Sequence, residues 1–131
     1  MADEKRREDG EGRPDGRFAY DGLERVFHEK ARLGIMASLM AAPEGRVFSE
    51  LKKLCRLTDG NLSRHIQVLS DAGFVEVAKG YHRKKPQTSY RLTAEGRERF
   101  QAYLGELERV VKDMARAGES EGELPPGFLP A

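Results

Sequence analysis

Between Phe48 and Thr93 the chain changes its periodicity again and again, and each change is punctuated by a residue suited to that turn. Ser49 reads as the cap of a helix over 50–56, with Leu51 and Leu54 pointing inward. Thr58 then offers a hydroxyl to the free N–H groups of a second helix, and Asp59 suits its positive end. This helix, over about 59–72, buries Leu62, Ile66 and Leu69, and Gly73 suits the left-handed position that closes it. Phe74–Val77 and Ser89–Leu92 alternate as paired strands do. The connection 79–87 holds Gly80, Pro86 and a run of cations and reads as a basic loop.

The flanks supply the rest of a core. From Asp21, a plausible N-cap, to Ala42, apolar residues recur at three- to four-residue spacing, which predicts one continuous helix stopped by Pro43 and Gly45. Gly34 inside it suggests close approach of a neighbouring helix. Thr93 caps a last helix over about 94–117, where Phe100, Tyr103, Leu107, Val110 and Met114 repeat every three or four residues. Residues 1–17 mix acids and bases without apolar period and read as a disordered, solvated tail. Residues 118–131 form an acidic tail with three prolines, expected to be mobile. The fold class that follows is mainly α with a small β-hairpin, in one domain over 18–117.

The net charge of +1 hides an uneven distribution. Residues 46–99 carry 12 Lys/Arg against 6 Asp/Glu, a local excess that points to a polyanionic partner. A single cysteine, Cys55, excludes an intrachain disulfide and a cysteine-built zinc site. Apolar runs are short and interrupted by charge, and no charged start precedes an apolar segment with a cleavage site. The expectation is therefore no membrane span and a cytoplasmic location. His28, His65 and His82 are isolated, and there is no glycine-rich phosphate loop or nucleophile motif. Neither enzymatic activity nor a cofactor is expected.

The second helix can present Thr58, Gly60, Asn61, Arg64, Gln67 and Val68 away from its apolar side, with Ser63 and His65 flanking them. Arginine pairs bidentately with guanine, and asparagine or glutamine with adenine, in the major groove. Lys79, His82, Arg83, Lys84 and Lys85 on the hairpin suit phosphates or a flanking minor groove. The pattern predicts double-stranded DNA as partner, with an interaction module that does not touch DNA as the alternative. The apolar stripe of the last helix, together with the first, predicts a homodimer through Leu23, Phe27, Phe100, Tyr103, Leu107, Val110 and Met114.

Several segments together resemble the MarR/ArsR-like winged-helix transcriptional regulators, and most closely a small winged-helix DNA-binding subgroup. They are Ala31–Met36, Phe48–Leu51, Asp59–Ile66, Leu69–Val75 and Tyr90–Gly96. The resemblance spans roughly residues 20–115. It implies a winged helix-turn-helix with a long C-terminal helix, acting as a homodimer. The expected target is a near-palindromic operator, with one recognition helix per half-site and wings outside. The metal-sensing branch has paired cysteines in its second helix, where this chain has Cys55 alone. Any effector stays unidentified.

Overall fold

The computed structural model describes residues 15–119 and 126–128. Most of the two tails read from the sequence lies outside the described residues. A 3-10 turn over Arg25–Phe27 leads into α1 (Lys30–Met40), β1 (Arg46–Val47), α2 (Phe48–Cys55) and α3 (Asp59–Asp71). Then follow β2 (Val75–His82), β3 (Lys85–Leu92) and α4 (Ala94–Glu119). The three strands pair antiparallel in the order β1-β3-β2. This is the winged helix-turn-helix expected, with the sheet enlarged by the two-residue β1. Among the described residues no helix is long and apolar enough to cross a membrane.

The single helix expected over Asp21–Ala42 is two elements. Glu29 is extended (φ −143°, ψ 128°), and its carboxylate accepts the Arg32 backbone N–H as the N-cap of α1. Asp21 caps nothing. The apolar period is real, but its two halves serve different neighbours. Ile35, Met36 and Leu39 of α1 enter the core shared with Leu51, Leu62 and Leu69. Phe27, ahead of the break, packs its ring at 5.1 Å from Phe74, 5.4 Å from Phe100 and 5.5 Å from Tyr103. One straight helix would aim Phe27 along the face of Ile35 and forfeit this cluster. Burying such a ring stabilises by about 1.5–3 kcal/mol, and edge-on aromatic neighbours add about 0.5–1.5 kcal/mol.

The segment before α1 also runs along α4. Tyr20 donates its hydroxyl to Asp113 at 2.8 Å, the Gly22 N–H donates to Glu106 at 3.2 Å, and Arg99 meets Glu24 at 2.7 Å. The Arg109 guanidinium lies 4.8 Å from the centre of the Tyr20 ring. This strap covers part of the α4 surface from within the same chain.

Two details of the helix-turn-helix depart from the sequence expectation. Phe48 is the first residue of α2 and Val47 its cap position, without a side-chain cap bond, so Ser49 sits inside the helix. The chain is held there by Arg46, which donates to the Ser38 carbonyl at 2.7 Å and to Glu50 at 2.9 Å. Leu54, expected inward, is 54% exposed, while Leu51 is fully buried. The α2 helix ends on Arg56 in the left-handed conformation (φ 55°, ψ 52°).

The strands reach further than the sequence suggests. β2 and β3 stay in register from Val75↔Leu92 to His82↔Lys85, so the connection shrinks to Arg83 and Lys84. Both are left-handed, at φ 53° and 68°, the geometry of a tight turn whose twist matches the ribbon. Pro86 sits opposite Tyr81, next to the pair that closes the turn. At that position an N–H points out of the ribbon, so proline sacrifices no ladder bond.

The root of α4 is the tightest contact in the fold. The Thr93 N–H donates to the Phe74 carbonyl at 3.0 Å, and its hydroxyl to the Gly73 carbonyl at 2.7 Å. The same hydroxyl accepts the Gly96 N–H at 2.9 Å and so caps α4. A Cβ on Gly96 would stand 2.1 Å from the Phe74 carbonyl oxygen. Gly34 is different, since a Cβ there would meet the Cys55 sulfur at an ordinary 3.8 Å. Gly96→Ala is expected to destabilise by about 3 kcal/mol or more, because backbone must move. Gly34→Ala is expected to be neutral or to stabilise by up to about 1 kcal/mol. Denaturant unfolding of the two variants checks both values.

Candidate nucleic-acid interface

The α3 helix is amphipathic for a local reason. Leu62, His65, Ile66 and Leu69 fall on one side at 100° per residue and are buried, while Gly60, Asn61, Ser63, Arg64, Gln67 and Val68 are exposed. Thr58 caps it as expected, its hydroxyl accepting the Asn61 N–H at 3.2 Å. On the open face Arg64 donates to the Asn61 side-chain oxygen at 2.9 Å, and Gln67 donates to Asp71 at 2.8 Å. These are partnerships along the helix surface, and none of them ties the face to the body of the protein.

His65 does not belong to that face, contrary to the expectation that it flanks the exposed residues. It is 8% exposed and lies between α3 and α1. Arg32 donates from Nη1 to His65 Nδ1 at 3.2 Å and from Nε to the Val26 carbonyl at 2.7 Å. The same Nδ1 stands 3.8 Å from the Glu29 carboxylate, so the ring is held between Arg32 and Glu29. Helical angle alone leaves His65 at the boundary of the open face. Arg32 draws it inward.

On the hairpin Lys79, His82, Arg83, Lys84 and Lys85 are all exposed. Their side chains make no hydrogen bond or ion pair among the described residues. No side-chain contact joins them to the α3 face. By contrast, the cations of α4 from Arg99 onward are each paired with a carboxylate, at 2.7 to 3.6 Å.

The residues expected at a dimer interface divide. Phe27, Phe100 and Tyr103 are fully buried inside this chain's own core and are not available to a second copy. Leu23 and Leu107 pack partly against that core, Val110 is half-buried and Met114 is exposed. Two apolar residues outside the expected stripe, Leu104 and Val111, are exposed on α4. With Leu107 and Met114 they make a 104-107-111-114 seam at heptad spacing. That spacing is present in the sequence, but the stronger aromatic pair Phe100 and Tyr103 draws the apparent stripe one position aside.

Burial pushes the Cys55 thiol above its ordinary range, which suits a packing role and not an activated thiolate. Among the described residues no group of three or more His, Cys, Asp or Glu is placed to hold a metal ion.

A family model for a winged helix DNA-binding domain matches residues 31–111. An uncharacterized protein of Methanocaldococcus jannaschii is 33% identical over 90 residues, which cover 69% of this chain and 97% of that one. A transcriptional regulator homologue from Pyrococcus horikoshii superposes with a TM-score of 0.63 at 32% identity, over 68% of this chain and 87% of its own. A MarR-family transcriptional regulator from Silicibacter pomeroyi shares the fold, with a TM-score of 0.53 at 18% identity over 72% of this chain and 65% of that one.

The hydrogen bond from the Arg32 backbone holds the Glu29 carboxyl below its usual range. A depressed carboxylate stabilises the fold above its unfolded pKa and loses that contribution as pH falls through its folded pKa. Glu29→Ala is therefore expected to cost about 1 kcal/mol at neutral pH. The gap to the wild type should close in acid, as followed by urea unfolding at a series of pH values.

Proposed function

Since the chain belongs to the winged helix DNA-binding domain family, we propose that it is a sequence-specific DNA-binding transcriptional regulator. One observation carries this reading. Residues 79–85, the outer part of the hairpin, hold four lysine and arginine side chains, and none has an ionic partner among the described residues, whereas Arg91 at its base pairs with Glu76. Two of them, Arg83 and Lys84, occupy left-handed positions where glycine or asparagine costs less. Strain retained at an exposed, charged tip points to a ligand for that charge. The likeness to the Pyrococcus horikoshii transcriptional regulator homologue supports the same reading.

In this reading α3 enters the major groove. Asn61, Arg64 and Gln67 meet base edges, while Thr58, Gly60, Ser63 and Val68 fit the groove wall. Lys79, His82, Arg83, Lys84 and Lys85 take the flanking backbone or minor groove. Two copies associate through the Leu104-Leu107-Val111-Met114 seam, and each reads one half-site of a near-palindromic operator. Half-site centres then lie about 10 bp apart or a multiple of that.

Two measurements test it. Arg64→Ala is expected to cost about 1–3 kcal/mol and relax base preference at one position per half-site. Lys84→Ala with Lys85→Ala is expected to weaken binding to all sequences and lower the salt slope by roughly 1.8. Intact affinity in both variants would remove α3 and the hairpin from the interface. Separately, Leu104→Glu with Val111→Glu is expected to convert a dimer to a monomer in sedimentation equilibrium while the circular dichroism of the fold is kept.

A further inference from the structure

The unpaired cations are not confined to the hairpin. An open cleft of about 880 Å3 lies between the start of α1, the end of α2 and the first turns of α3. Lys30, Arg56 and Arg64 line it beside Asn61. Its one carboxylate, Glu29, already accepts the Arg32 N–H at 3.1 Å. The nearby Asp59 is neutralised by Lys52 at 2.8 Å. The Lys30 ammonium and the Arg56 guanidinium make no side-chain hydrogen bond or ion pair among the described residues. The cleft therefore presents uncompensated positive charge next to Asn61 and Arg64.

Arg56 adds a second, independent observation. It closes α2 in the left-handed conformation, where glycine is the low-cost residue. Among the described residues four non-glycine positions have positive φ: Tyr20, Arg56, Arg83 and Lys84. Three of the four are exposed cations, two at the hairpin tip and one at the cleft. The same chemistry, a free charge held at a conformational cost, recurs at a place the hairpin does not reach.

We propose that the cleft seats a backbone phosphate of bound DNA, with Lys30 and Arg56 as its ligands. The strand is thereby gripped beside the N-terminal half of α3, at a site separate from the hairpin. Arginine supplies a planar fork for two phosphate oxygens, and lysine a point charge. The apolar walls at Ala31 and Leu57 accept the sugar carbons on either side. The inference rests on the DNA-binding reading above.

The test uses the full chain and a mixed-sequence duplex, because phosphate binding is independent of sequence. Lys30→Gln with Arg56→Gly is expected to lower the slope of log affinity against log salt by roughly 0.9, the share of the one phosphate contact that is lost. The melting temperature of Arg56→Gly should hold or rise, since glycine relaxes the left-handed position. Arg56→Lys on its own should keep the wild-type slope. If the wild type binds the duplex and the double variant shows the same slope, the cleft proposal is wrong and the DNA-binding reading stands. If the wild type binds no duplex, both fall. A lowered melting temperature in Arg56→Gly with an unchanged slope would assign Arg56 to structure alone. In a separate arm, inorganic phosphate is titrated into the protein without DNA and followed by NMR. Saturable shifts at Lys30 and Arg56 with an unchanged DNA salt slope would make the cleft a free-phosphate site and overturn the proposal.

Discussion

The backbone of Phe74 against Gly96 is the contact on which the remaining architecture turns. The Phe74 carbonyl accepts the Thr93 N–H and leaves no room for a side chain at position 96. Thr93 follows directly on β3, and Phe74 directly precedes β2, so this one contact closes both ends of the hairpin at its base. It also brings the Phe74 ring to Phe27, whose cluster with Phe100 and Tyr103 welds α4 to the body. The α3 helix, the hairpin and α4 thus share one junction. Moving any of them by an ångström would disturb the other two, because packed interiors do not deform continuously.

How much of this is legible in the sequence depends on distance along the chain. The α3 helix is legible almost to the residue, because its cap at Thr58, its apolar side and its stop at Gly73 are local signals. The break before α1 is not. A three-to-four spacing from Leu23 to Leu39 fits one helix or two, and the choice is made by Phe74, Phe100 and Tyr103 far downstream. The hairpin is underestimated because Gly80 and Pro86 read as loop residues. Their cost disappears in a two-stranded ribbon whose outer side faces solvent. Gly96 gives no signal at all, since the reason for it is the carbonyl oxygen of Phe74, distant in the chain.

The candidate interface shows the same division. Which side of α3 lies open follows from its own sequence. That His65 leaves this side does not, because Arg32 on another helix decides it. Likewise the basic run from Lys79 to Lys85 is visible as composition, but not that its members lack carboxylate partners among the described residues while Arg99, Arg109, Lys112 and Arg116 have them. Cation counts therefore say less than cation pairing. The informative quantity is the charge left over once the protein has satisfied its own.

All fully buried residues of α4 lie between Gly96 and Tyr103, Leu107 still packs partly against the core, and residues 108–119 run on beyond it with the strap reaching Asp113. At 1.5 Å per residue this arm is about 18 Å long, and a pivot of about 10° at its base swings the tip by about 3 Å. A helix of this kind is a boom whose root, from Gly96 to Tyr103, is fixed in the core. In the pair of chains proposed above, joined along this arm, a slight rocking at the base would change the separation of the two α3 helices by ångströms. In that proposed pairing, the distance between the two α3 helices is set by the stiffness of one helix and by how firmly its root at Gly96 is seated.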